Sequence, residues 1–475
     1  MATPVPPPPF TPAERARVRT TLGDIFTSEI TMAASGLVVL AADGSTLFSR
    51  RARVPVTPAS TLKLIVASTA LEALGPAHRF ETRFVASALP DAGGTLAGGL
   101  WLVGGGDPML LSEDLRRGVG VLARSGIKRI DGELQIDDTS FMGPEQNARW
   151  DPDDLGYDYA AGTSAIALDW GVVEFDVTPG STGSPARVRV VPDNDAIAIA
   201  GTIATVSSGS STFVTIERKA TMPTFGAAGG VPDASVNATN TYAVEGHIAQ
   251  GETQKYYKPV LGMPGYVGGI VSSLLAKRRI ALAAGYRVGA APPSALVLWN
   301  HRSPPLEAIL KDMLVYSNNH SAETLLRIVG ERSGRPGTDE SGIAVEKAML
   351  ARLGVVRERM RVYDGSGLAP GDKIMPLTLA QTIAAELRGR NAGVFLRSLP
   401  RVGYDGTVKH HNLTVALGRT RAKSGHIENV NGLAGTVQTQ HHGRVAFAFV
   451  VNDRRANADV VTDEEDRALD ALARS

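Results

Sequence analysis

A hydroxyl and an amine one helical turn apart, in Ser60-Thr61-Leu62-Lys63, are the residues of this 475-residue chain best placed for nucleophilic chemistry. Thr57 is positioned to N-cap a helix here, Pro58 suits its first position, and Gly75-Pro76 stops it after Leu74. Residues three apart share a helical face, so Ser60 Oγ and Lys63 Nζ can meet, and the first turn is where the macrodipole favours developing negative charge. An amine base beside a serine hydroxyl is an activated nucleophile in outline. The spacing recurs at Ser125-Gly126-Ile127-Lys128, but there Gly126 follows an apolar helical run and a strand is expected next, so that pair does not share a face.

Two later segments set the first match apart. Ser317-Asn318-Asn319 follows a helix marked by Leu306, Ile309, Leu310 and Met313, and Lys423-Ser424-Gly425 lies near the C-terminus. Their order and types are the S-x-x-K, S-x-N and K-[T/S]-G set of penicillin-recognising serine enzymes. Ser235-Val236-Asn237 also fits the second pattern and reads as a chance match. Other chemistries find less support. Gly104-Gly105-Gly106 has neither dinucleotide-fingerprint spacing nor a P-loop lysine and reads as a loop. None of the nine histidines falls in H-E-x-x-H, and no serine sits in a G-x-S-x-G elbow, so neither a metal nor a cofactor is expected.

The elements that must position these residues are discontinuous. From Phe80 to about Tyr286 the chain shifts to short β-like runs, with candidate strands at 100–103, 188–191 and 212–216 broken by Gly, Pro and Ser. More than two hundred residues thus separate the serine from its partners, which implies an inserted module inside one catalytic domain. Beyond it, 281–287 reads as the end of a helix, Pro304-Pro305 opens the next, and 320–332 is helical. The runs 433–439 and 445–451 are strongly β-like, with His441-His442-Gly443 as a hairpin turn and Lys423-Ser424-Gly425 on or beside a sheet edge. Thr462 and Glu465 suggest a capping box for a closing surface helix carrying Leu469 and Leu472.

A chain this long should hold two or three domains. Mean hydropathy near zero fits a soluble globular protein. A net charge of +1 without basic runs argues against nucleic acid as a partner. The absence of cysteine excludes disulfides, thiol catalysis and cysteine-ligated metal. No apolar run reaches membrane-span length. Residues 1–10, with Pro6 to Pro9, read as a disordered leader without the basic start or apolar stretch of a signal peptide, so work outside the cytoplasm would require an export signal lying outside this sequence.

From about Ser35 onward the chain resembles the low-molecular-mass class C penicillin-binding proteins, the D-alanyl-D-alanine carboxypeptidases and endopeptidases. Besides the three motifs, the resemblance rests on Gly105-Gly106-Asp107-Pro108, Ser303-Pro304-Pro305-Leu306, Asp364-Gly365-Ser366-Gly367-Leu368 and Leu399-Pro400-Arg401-Val402-Gly403. It implies a mixed α/β (α+β) fold: a transpeptidase-like catalytic domain, an antiparallel sheet flanked by helices, with a large β-rich two-domain insertion. Domain I is expected at 11–80 and 288–475, domain II at 81–104 and 184–287, and domain III at 105–183. A periplasmic or extracellular location follows from the same resemblance.

By that resemblance Ser60 attacks the carbonyl of a penultimate D-alanine in a peptidoglycan stem peptide, or a β-lactam. Lys63 is the base, with the neighbouring charge of Lys423 helping to depress its pKa, and water resolves the acyl-enzyme. Ser317 relays a proton to the leaving amine, Asn319 binds the substrate amide and orients Lys63, and backbone N–H groups of Ser60 and His426 form the oxyanion hole. Ser424, Gly425 and His426 line the substrate strand. His426 departs from the family, which usually has Thr or Ser after K-[T/S]-G to help hold a carboxylate; Ser424 retains one hydroxyl, and a protonated ring would hold the anion better toward about pH 6.5. In Trp150 to Tyr159, Asp153 or Asp154 would suit an ammonium of the stem peptide, with a solvated loop as the plainer reading. Rival functions are another serine hydrolase on this scaffold (a β-lactamase, an esterase or an amidase for D-amino-acid peptides) and a silent module that binds cell-wall peptide.

Overall fold

Five antiparallel strands drawn from both ends of the chain build the sheet that carries the third motif. Their order is Thr420–Ile427, Val430–Gln438, Arg444–Asn452, Ser35–Leu40 and Thr46–Arg50. The computed structural model describes residues 7–194, 196–219 and 240–475; Ser235-Val236-Asn237 and the start of the Pro-rich leader lie outside them. Alternation along the strands divides two faces. Leu37, Val39, Leu433, Val437, Phe447 and Phe449 meet the helices Pro12–Ile25 and Asp459–Ala473 through Val18, Leu22, Leu469 and Leu472. On the other face small residues let a helix close in: a β-carbon on Gly36 would fall 2.6 Å from Pro376 Cγ, at the start of the helix Pro376–Arg388.

The chain divides into two compact units, residues 1–78 with 305–475, and residues 79–304. In the first, the two passages of chain are joined by Leu306 N–H to His78 O at 2.8 Å and Glu307 N–H to Pro76 O at 3.1 Å. In the second, Phe80 N–H donates to Ser303 Oγ and Ser303 N–H to Phe80 O, each at 2.9 Å. Among its described residues the insert is β-rich, as expected, and carries two longer helices, Ser112–Arg124 and Met263–Lys277. Its largest sheet orders Tyr286–Val288, Leu134–Asp137, Leu100–Val103, Glu81–Ala86 and Leu296–Arg302.

This pairing moves the expected domain edges. Leu296–Arg302 pairs with Glu81–Ala86, so the insert runs past 288. An inner module at 105–183 would part Leu100–Val103 from Leu134–Asp137 and Val172–Thr178 from Arg187–Val191, yet both pairs are hydrogen-bonded and one apolar core joins them. The expected helix end at 281–287 is instead two short strands, Ala281–Leu282 and Tyr286–Val288, paired with Arg129–Ile130 and Leu134–Asp137. Helix propensity loses there to tertiary pairing.

Phe10 and the closing helix are tied down more firmly than the composition around them suggests. Phe10, expected in a disordered leader, is buried and stacks on His442 at 4.0 Å between centroids. The closing helix begins at Asp459, so Thr462 lies inside it and no capping box forms. Nor is it an ordinary surface helix. Glu464 is buried and accepts hydrogen bonds from Thr27 N, Ser28 N and Thr31 Oγ1 at 3.0, 2.7 and 2.8 Å. Phe26 packs between these parts, 5.0 Å from the Phe449 ring and 6.3 Å from Phe48. Phe26→Ala is expected to lower unfolding stability by about 3–5 kcal/mol, the usual cost of emptying a buried phenylalanine site; denaturant titration checks it, and a loss below about 1 kcal/mol would show that the helix and sheet close without this ring.

Candidate active site

The serine and lysine meet as their spacing predicts, though on a tighter turn. Ala59–Leu62 is a 3₁₀ turn and the α-helix proper is Lys63–Leu74, ended by Gly75. Thr57 does not cap it. Its N–H goes to Asn452 Oδ1 at 2.7 Å and its hydroxyl accepts from Lys373 Nζ. Ala59 adopts φ 46°, a left-handed conformation that costs a non-glycine residue of order 1–3 kcal/mol. It is held there by close packing: a β-carbon on Gly367, itself at φ 78°, would lie 2.1 Å from Ala59 O.

Lys63 is fully buried and its ammonium nitrogen reaches three oxygens: Ser60 Oγ at 2.7 Å, Asn319 Oδ1 at 2.7 Å and Ser366 O at 2.8 Å. Burial presses its pKa from the usual lysine range to about 7, against the smaller opposing pull of the Asp364 and Glu323 carboxyl groups when these are ionised. Desolvation is therefore the main cause, one that the sequence, which showed only a helping charge in Lys423, did not reveal. Lys423 is itself buried on the edge strand, donates to Ser424 O at 2.7 Å, and is lowered well below its usual range, first by burial and then by Lys63.

Two buried carboxylates brace the loop that supplies Ser366. Glu323, on the helix Asn319–Arg332, accepts from Gly365 N and Ser366 N at 3.0 and 2.8 Å, and Asp364 accepts from Gly367 N and Ala369 N at 2.7 and 2.8 Å. Burial raises the Glu323 carboxyl to about 8, with Asp364 and Asp339 adding to the effect. Ser366 belongs to the segment Asp364 to Leu368 noted in the sequence, but neither its role as an acceptor nor the acids behind it were legible there.

Ser317 ends the helix Leu306–Tyr316 in a left-handed conformation, φ 58°, and Asn318 caps the next helix by accepting from Ser321 N at 2.8 Å. Asn319 thus reaches Lys63, whereas Ser317 is not among its three acceptors. The edge strand lies against the serine turn because glycine permits it. A β-carbon on Gly425 would stand 2.8 Å from Pro58 O and 3.1 Å from Ser60 N, and its cross-strand partner Gly432 faces Thr61. Ser424 Oγ hydrogen-bonds Thr407 Oγ1 at 2.6 Å. Thr407 reaches this place through Gly406, at φ 43°, whose β-carbon would be 1.9 Å from Val315 O, a contact no sequence pattern announces.

His426 presents part of its ring at the surface, while neighbouring atoms shield the rest. That shielding first, then the positive charges of Lys423, His410 and His411, press its pKa to about 4. The ring is consequently neutral near pH 6.5, where a charged partner for carboxylate was expected. In the inserted unit, Tyr157 and Tyr159 stack at 5.3 Å and Tyr159 OH donates to Asp154 Oδ1 at 2.7 Å, while Asp153 is exposed. Among the described residues no cluster of His, Asp and Glu could hold a metal ion, and no helix is long and apolar enough to cross a membrane.

A serine bonded to a buried, proton-poor lysine, an asparagine on that same lysine, and a glycine-bearing edge strand laid over the serine turn define a penicillin-recognising serine hydrolase. The chain belongs to the D-Ala-D-Ala carboxypeptidase 3 (S13) family, whose model matches residues 19–475. It is accordingly a serine carboxypeptidase of the class C penicillin-binding group. It is 31% identical over 439 residues to the D-alanyl-D-alanine carboxypeptidase of Actinomadura sp. (strain R39), covering 88% of this chain and 78% of that protein. Its fold is similar to penicillin-binding protein 4 (dacB) of Haemophilus influenzae, with TM-score 0.80 and 22% identity, covering 96% of this chain and 99% of that one. The same Haemophilus protein complexed with a β-lactam gives TM-score 0.75 at 22% identity, covering 96% of this chain and 100% of that one.

With Lys63 near pKa 7, its amine is neutral above that pH and protonated below it. Acylation by an uncharged β-lactam ester is expected to level off above about pH 7 and to fall roughly tenfold per pH unit below it, as a single essential base requires. Stopped-flow rates from pH 5 to 8 check this; a flat profile would show that Lys63 is not the titrating base.

Proposed function

We propose that Ser60 is the nucleophile, that neutral Lys63 takes its proton, and that the enzyme removes the terminal D-alanine of peptidoglycan stem peptides through an acyl-serine. The observation that carries the reading is the 2.7 Å contact between Lys63 Nζ and Ser60 Oγ on a lysine that burial has made a base near neutrality. As Ser60 Oγ bonds to the substrate carbonyl carbon, its proton passes to Lys63. Ser317 carries a proton on to the departing amine as the peptide bond breaks, and water then releases the acyl group from serine. Asn319 holds Lys63 in line and receives the substrate amide. The N–H groups of Ser60 and His426 face the developing oxyanion, which Gly425 supports by bringing the strand against the turn.

Lys423 and Ser424 receive the terminal carboxylate, and Thr407 takes the part of the hydroxyl that His426 displaces, through its 2.6 Å bond to Ser424. An anion beside Lys423 favours its proton, opposing the burial and the Lys63 charge that lower its pKa. β-Lactams acylate the same serine, and the enzyme works in the periplasm or outside the cell, where its polymer substrate lies. Support for the substrate and the location comes from the family and from the named relatives.

Incubation with a fluorescent penicillin, intact mass and D-alanine release from a stem pentapeptide test this together. Ser60→Ala is expected to lose all labelling with the fold intact. Lys63→Ala should nearly abolish acylation, and Ser317→Ala should slow it by about 10² to 10⁴-fold, the usual contribution of a general acid–base group. Labelling of Ser60→Ala at another serine overturns the assignment, and rapid adduct turnover without D-alanine release points to a β-lactamase. A separate measurement concerns His426. Its neutral ring predicts that the ratio of acylation rates for a free-carboxylate substrate and its amide analogue stays flat between pH 6 and 8, whereas a ratio climbing toward pH 6 would assign the ring a charge and a carboxylate.

A further inference from the structure

Arginines that are scattered in sequence converge in the inserted unit on one open cleft of about 460 Å³, roughly fifteen waters at about 30 Å³ each. Arg117, Gly120, Val121 and Arg124 recur at the spacing of one face of the helix Ser112–Arg124, and that face makes one wall. The other wall is the strand Leu296–Arg302, with Trp299 and Arg302, and Arg278 enters from the end of the helix Met263–Lys277.

Most of these charges are accounted for. Arg116 pairs with Glu113, Arg117 with Asp114, and Arg302 with Glu81 at 3.2 Å. Arg124 and Arg278 have neither an ion pair nor a side-chain hydrogen bond among the described residues. Each stands at the C-terminal end of a helix, where the macrodipole offsets about half a charge. Helix geometry lays Arg124 over the turn that precedes it, whereas Arg278 comes to the same place from a different helix. Both guanidinium groups turn over Gly120, with Arg124 Nη1 3.4 Å and Arg278 Nη2 3.7 Å from where a β-carbon would be. Two like charges over one side-chain-free floor repel each other, and solvent-exposed arginines are free to swing apart. Their convergence is what an oxyanion between them would reward, through two planar forks of N–H donors.

We propose that this cleft is an anion-binding site, separate from the serine chemistry, and that it takes a multiply charged phosphate, one phosphate group held by Arg124 and Arg278 on the floor at Gly120. The paired arginines at the rim supply further donors, and Trp299 closes the side. A ligand of this class would attach the inserted unit to a phosphate-bearing polymer or to free polyphosphate.

The test is calorimetric titration of the full chain with inorganic tripolyphosphate at low salt, with inorganic phosphate, a glycerol-phosphate oligomer and poly-glutamate as separate arms. Binding of tripolyphosphate that weakens about tenfold or more in Arg124→Ser/Arg278→Ser, and weakens on raising salt, is expected. The thermal midpoint checks the variant's fold, and the milder Arg278→Gln should lose part of the same affinity. The glycerol-phosphate arm separates a polymer from free polyphosphate, since only a polymer site binds the oligomer as well as tripolyphosphate. No binding by the wild-type chain, equal binding by both variants, or poly-glutamate binding as tight as the phosphates would overturn the proposal.

Discussion

An ammonium group taken out of water and given three oxygens but no contacting carboxylate sets the terms for the rest of the catalytic unit. Lys63 Nζ lies within 2.8 Å of a hydroxyl, an amide oxygen and a backbone carbonyl. Neutral acceptors hold the nitrogen in place without supplying the charge that would keep it protonated. The carboxyl groups of Asp364 and, when ionised, of Glu323 pull its proton affinity only part of the way back. Among the described residues neither forms an ion pair with the amine, and both accept hydrogen bonds from the backbone of residues 365 to 369. The result is an amine with a pKa near neutrality, hydrogen-bonded to the Ser60 hydroxyl.

Position in this site is enforced mainly by backbone contacts. Ala59 and Ser317, neither of them glycine, are held in left-handed conformations on either side of the cluster. Gly367, Gly406 and Gly425 allow main chain to press against main chain where any β-carbon would collide. Strain at two residues and close approach at three others thus hold the motifs in register, which accords with the tendency of functional sites to hold such conformations against their local cost.

Periodicity and punctuation were enough to read the hairpin at 433–451, the helix after Asn319 and the existence of an insert. The three motifs carried the hydroxyl, the amines and the amide. What escaped depended on partners remote in sequence. Propensity could not foretell that 281–287 would pair with strands 150 residues earlier, or that Leu296–Arg302 would join the insert's sheet. The main cause of the low Lys63 pKa escaped for the same reason, since motif order reveals a neighbouring charge but not the absence of water. Thr407, Glu323 and the arginines over Gly120 come into view only once distant segments are brought together.

The central sheet also imposes an order on synthesis. Ser35–Leu40 has its two neighbours at Thr46–Arg50 and Arg444–Asn452, one available at once and the other only after some four hundred more residues. At about 5–20 residues per second this is a wait of roughly 20–80 s. Throughout it, strands and the nucleophile helix, nearly all buried side chains in the finished molecule, lie without the sheet that covers them. The insert, contiguous from 79 to 304, carries its own core and can close while the catalytic unit is still incomplete. Seen from the ribosome, Ser60 is made some 360 residues before the strand Thr420–Ile427 that lies against its turn, so the nascent chain holds no assembled site until both have emerged.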